Sequence, residues 1–92
     1  MPQVFKIGSF WVYFWANENK PLEPVHVHVS KGKPVAIATK FWITKSGKCL
    51  LANNDSEYDN KTLNYLSKAI EANSRMITEK WLSFFGEITY YC

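Results

Sequence analysis

Acidic residues are missing from the middle of this chain. Between Pro24 and Asn54 there are five lysines and no aspartate or glutamate. The flanks compensate only in part: residues 1–23 are balanced, and residues 55–92 hold six acids against four bases, leaving a net charge of +3. A basic half beside a mildly acidic half suits an anionic partner on the basic side, although exposed lysines also keep edge strands from pairing. Cysteine is scarce as well. Cys49 and Cys92 are the only two, with no Cys-x-x-Cys spacing, which excludes a thiolate metal motif and a paired redox motif. No run approaches the roughly 20 apolar residues of a spanning helix. No charged start followed by an apolar stretch resembles a signal peptide. The expectation is a cytoplasmic protein with reduced thiols and no membrane association. No repeat, linker or low-complexity segment is evident, which argues against disorder.

Aromatic residues, by contrast, are abundant at 16% of the 92 residues. A chain of this length forms one domain, 1–92, able to bury about 60–70% of its unfolded surface. Strand-like runs fill the first half. Val4 to Ile7, Phe10 to Trp15, Val25 to Ser30, Val35 to Ile43 and Lys48 to Leu51 are rich in β-branched and aromatic residues. Turn chemistry separates them: Gly8-Ser9, the Asn- and Pro-bearing stretch Ala16 to Pro24, Lys31-Gly32-Lys33-Pro34 and Ser46-Gly47. Short connections make antiparallel neighbours of consecutive strands.

The second half changes period. After a polar stretch from Asn53, Asp59 stands as an N-cap, and Leu63, Leu66, Ile70, Ile77, Trp81, Leu82 and Phe85 recur at helical spacing up to a stop at Gly86. One continuous helix would be about 38 Å long, so a bend or break at Asn73-Ser74 is expected. The predicted fold is α+β. A four- to five-stranded antiparallel meander (1–52) is followed by one long or bent helix, or two (59–86), packed on one face. Residues 87–92 are a tail or an edge strand.

The period of two in the strands sorts the side chains onto two faces. Phe10, Val12, Phe14, Val25, Val27, Val29, Val35, Ile37, Phe41 and Ile43 are expected under the helix. The other face carries Trp11, Tyr13, Trp15, His26, His28, Lys40 and Trp42, including both histidines of the chain. Such a face admits three readings. It is structural, a second small core or a contact surface for a homodimer or a partner protein. It binds single-stranded RNA, with Trp11, Tyr13, Trp15 and Trp42 stacking bases and Lys31, Lys33 and Lys40 steering phosphate. Or His26 and His28 act as acid and base in a metal-independent ribonuclease. A catalytic zinc needs a third ligand, and neither Glu18 nor Glu23 stands at a recognised spacing, so no metal and no cofactor is expected.

The residues also resemble a known family. The opening Met1-Pro2-Gln3-Val4, the run Tyr13-Phe14 leading to Asn17-Glu18, the strand Pro24-Val25-His26-Val27-His28-Val29 and the later Ala38, Lys40, Phe41, Trp42 and Ile43 carry the likeness. So do Glu71, Asn73, Arg75, Trp81, Phe84, Phe85 and Gly86. Together they are similar to domain-of-unknown-function family 4160. The resemblance implies a small prokaryotic protein, of a kind suspected of belonging to toxin–antitoxin modules, with His26 and His28 as the family's paired histidines. Asn19 stands where many members have a further histidine, so the resemblance does not bring a three-histidine site to this chain. The leading expectation is a toxin–antitoxin-type protein, not firmly an enzyme, that engages RNA or a cognate, antitoxin-like protein through the His26/His28 face.

Overall fold

A computed structural model of the chain describes residues 3–15 and 22–92. Its elements are β1 (Gln3–Ile7), β2 (Phe10–Tyr13), β3 (His26–Lys31), β4 (Thr39–Ile43), β5 (Cys49–Asn54), α1 (Asn60–Ala72) and α2 (Ser74–Phe85). The strands form one antiparallel sheet in sequence order, β1-β2-β3-β4-β5. The expected meander followed by helices is therefore present. The expected positions Glu18 and Asn19, and the opening Met1-Pro2, lie outside the described residues.

Burial follows the alternation. Val12, Phe14, Val25, Val27, Val29, Phe41 and Ile43 on the sheet meet Leu66 and Ile70 of α1 and Ile77 and Trp81 of α2 in one core, each at most 2% exposed. Fully burying side chains of this size contributes about 1.5–3 kcal/mol each. This core holds the sheet and both helices together.

The helical half breaks where weak helix formers stand. Asn73 ends α1 with its backbone N–H on the carbonyls of Ala69 and Ile70, and its Nδ2 donates to Ala69 O at 2.8 Å. The side chain thus folds back onto the last turn of α1, adding a second donor to the same carbonyl, and α2 starts at the next residue. At the other termini, the Asp59 carboxylate accepts from Thr62 N at 2.8 Å. Gly86 closes α2 in the left-handed region (φ 80°), which a residue with a Cβ enters only under strain.

The fourth strand differs from expectation. It begins at Thr39 rather than Val35, and Val35 and Ile37 are 43% and 73% exposed instead of packing under the helices. Two polar side chains explain the difference. Tyr13 Oη donates to Val35 O at 2.8 Å and accepts from Val35 N, while Ser30 Oγ donates to Lys33 O. Pro34 between them lacks an N–H for the ladder. The segment is thereby tied to Tyr13 and Ser30 as a loop. β2 also ends at Tyr13, two residues early, and β5 runs on to Asn54.

Residues 87–92 form no strand, yet they are held. Val25 N donates to Thr89 O at 2.8 Å and Lys45 N to Cys92 O at 3.1 Å.

Candidate functional site

The register sets the neighbours on the second face. His26 lies opposite Trp42, which lies opposite Leu50; Tyr13 lies opposite His28, which lies opposite Lys40; Trp11 lies opposite Ser30. The strand residues assigned to that side from alternation alone therefore do share one face of the sheet, built on three central strands. What they offer to a ligand differs from one to the next.

His26 is fully buried. Its Nδ1 donates to Pro24 O at 2.9 Å. Its ring packs against Trp81 (centroids 5.2 Å apart), Trp42 (5.7 Å) and His28 (5.0 Å, edge to face). Trp81 comes from α2, and it reaches His26 because both lie at one end of the sheet: Phe14 just after β2 and His26 at the start of β3 both touch its indole. Trp81 Nε1 is buried with no hydrogen-bond partner among the described residues. His28 is half-buried and stacks on Tyr13 at 5.7 Å, with Trp15 at 6.4 Å. The two imidazoles are thus close, but one has no exposed surface. General acid–base chemistry requires hydrogen-bond reach to the reacting group, and His26 in this packing has none toward an external substrate.

Tyr13 is also fully buried, under the loop that its hydroxyl holds. Trp11, Trp15 and Trp42 are half-buried. Lys6 lies 5.1 Å from the Trp11 ring. Trp42 carries two partners that its position in the sequence did not indicate. Lys40 Nζ lies 4.3 Å from its ring centroid, and Tyr91 from the tail stacks on it at 4.9 Å and 3°.

Lys40 is not a free cation. Its ammonium sits 2.8 Å from Glu23 Oε1, and its side chain is only 15% exposed. Glu23, considered from sequence only as a metal ligand, is instead this ion-pair partner. Lys31 and Lys33 are exposed at the loop between β3 and β4, whereas Lys45 and Lys48 are exposed at the turn between β4 and β5, the opposite end of the strands.

The remaining reactive groups are peripheral. Cys49 Sγ lies 3.1 Å from Ser67 Oγ, and burial pushes its thiol pKa upward against the lowering effect of the Ser67 hydrogen bond. Cys92 is exposed. Among the described residues no group of three or more His, Cys, Asp or Glu side chains is placed to hold a metal ion, and no helix is long and apolar enough to cross a membrane.

No curated protein and no solved structure matches the chain. A family model does, over residues 9–82: Domain of unknown function (DUF4160). That span takes in both histidines, Lys40, Trp42 and Trp81, and by this match over most of its length the chain belongs to the DUF4160 family.

Proposed function

We propose that this chain is a protein-binding member of a toxin–antitoxin-type pair, acting in the cytoplasm, and that its second sheet face receives a cognate acidic protein with apolar anchors. The observation that carries the reading is the Trp42–Tyr91 stack beside Leu50. Tyr91 is 61% exposed and Leu50 44% exposed. Exposed aromatic and aliphatic groups grouped together mark contact surfaces, and aromatic residues anchor protein interfaces. An acidic partner suits the exposed Lys31, Lys33, Lys45 and Lys48, which stand at the two ends of the strands around this face.

Two features favour a protein over RNA. A single-stranded nucleic acid needs a groove of cations along its backbone and open aromatic faces. Here Lys40, in the middle of the face, is neutralised by Glu23, and the exposed lysines are divided between the two ends of the strands. The stacking platform is also occupied: Tyr13 and His26 are buried and Trp42 already carries Tyr91. In this reading the histidines are structural, joining Trp81 to the aromatic face.

The test is calorimetric titration of the purified product of the adjacent gene into this protein, with a single-stranded RNA oligonucleotide as the alternative ligand. Binding of the protein, weakened at least tenfold by Trp42→Ala, supports the reading. Binding of the oligonucleotide alone, falling steeply with salt, overturns it.

A further inference from the structure

The two edges of the sheet are unlike. β1 carries Lys6, a charge of the kind that discourages edge pairing. β5, at the other edge, reads Cys-Leu-Leu-Ala-Asn-Asn, with no charge and no proline. Its N–H and C=O groups pair with β4 on one side only. At its first residue the N–H of Cys49 is taken by Glu71 Oε2 at 3.2 Å, so the open part of the edge begins at Leu50. Leu50 and Leu51 are 44% and 46% exposed and stand on opposite faces, opposite Trp42 and Phe41 respectively. Apolar surface therefore flanks the edge on both sides. Toward the helices, Leu51 borders an open groove with Phe41 and Leu63.

The ends of this strand carry opposite charges. Lys45 and Lys48 precede it, outnumbering the Glu71 carboxylate that takes the Cys49 N–H, and Asp55 and Glu57 follow it. Lys45, Lys48, Asp55 and Glu57 are all exposed, and none is ion-paired to a described residue. An antiparallel pairing of the strand with itself, about a two-fold axis near Leu51, brings the basic end of each copy to the acidic end of the other. A parallel pairing would set like charges together. A two-fold interface is self-complementary, as this strand is, and backbone pairing at an open edge supplies its affinity.

We propose that β5 pairs antiparallel with β5 of a second copy of this chain, with Lys48 of each protomer beside Asp55 of its partner. The ten-stranded sheet so formed keeps the helices of both protomers on one side. A bulge in β5 between its pairing to Lys40 and to Phe41 interrupts the regular ladder, which shortens the pairing and makes the dimer reversible rather than permanent. The dimer rests on the sheet edge and its end charges rather than on the Trp42–Tyr91 stack, and Leu50 is a residue that the two surfaces share.

Sedimentation equilibrium of the full chain from low micromolar to several hundred micromolar tests it. The expected result is a monomer–dimer equilibrium that weakens at least fivefold in Lys48→Glu and recovers in the double variant Lys48→Glu/Asp55→Lys, each with an unchanged thermal midpoint at concentrations where the chain is monomeric. A chain that stays monomeric throughout overturns the proposal. So does a dimer whose constant is the same in Lys48→Glu, or one that the double variant fails to restore.

Discussion

Tyr91 lies face to face on Trp42, ring centroids 4.9 Å apart and planes 3° from parallel. The two residues come from opposite ends of the fold's logic. Trp42 is placed by strand alternation in β4. Tyr91 belongs to a tail without regular structure, held by Thr89 O on Val25 N and Cys92 O on Lys45 N. The stack couples the tail to the sheet face proposed to meet a partner.

That coupling is measurable. Aromatic pairs contribute about 0.5–1.5 kcal/mol beyond their buried area. A double-mutant cycle with Trp42→Leu and Tyr91→Ala in urea denaturation should return a coupling energy near the lower end of that range, because Tyr91 is largely exposed. Additive single effects would mean that the stack does not persist in solution.

Trp81 is the joint between the helices and the histidine pair. Its indole is fully buried and meets Phe14, Phe85 and His26. Trp81→Ala should cost about 3–5 kcal/mol by removing a large side chain from a packed core. Trp81→Phe should cost clearly less. It keeps the aromatic contact, and it removes a buried Nε1 that has no partner among the described residues. Chemical denaturation of the two variants checks the ranking, which equal losses would reverse.

Acid stability should depend on Asp59. Its carboxyl is held below its ordinary value of 3.8, first by the Thr62 side-chain hydrogen bond and then by the Thr62 backbone N–H at the start of α1. A depressed carboxyl contributes stability that is fully present above its unfolded pKa and is lost as pH falls through the folded value. Asp59→Asn keeps a capping oxygen but cannot titrate. Its unfolding free energy should therefore fall less than that of the parent chain from pH 5 to pH 2, followed by urea titration at each pH.

The two thiols should separate in reactivity. Burial raises the Cys49 pKa, so its thiolate fraction at pH 8 is low, and the thiolate is the reacting form. Cys92 is exposed. A disulfide reagent at pH 8 should modify one thiol quickly and the second only on unfolding, and Cys92→Ser should abolish the fast phase. The raised Cys49 value also means that its contribution to stability holds below the unfolded thiol pKa and declines as pH rises through the folded one.

Much of the fold is legible in the sequence because it rests on short-range periodicity. Val25, Val27 and Val29 against His26 and His28 declare a two-faced strand, and the Leu66, Ile70, Ile77, Trp81 spacing declares helix, with Asn73 marking the break. Contacts between distant residues are not legible in the same way. Val35 and Ile37 alternate like strand residues, yet the Tyr13 hydroxyl draws the backbone at Val35 into a loop. Nothing local predicts that a helix indole buries His26, that Glu23 neutralises Lys40, or that Tyr91 returns to Trp42. Placement of the site residues on one face was thus readable from alternation, whereas their accessibility depended on side chains far away in the chain.

The most direct test of the central claim is the affinity of the adjacent gene's protein product for the wild-type chain and for Tyr91→Ala, measured by calorimetry at two salt concentrations beside a single-stranded RNA oligonucleotide. The account predicts a one-to-one complex per protomer with the protein, weakened about tenfold by Tyr91→Ala, and no heat from the oligonucleotide. Heat from the oligonucleotide alone, undiminished in Tyr91→Ala and lost at high salt, would contradict it.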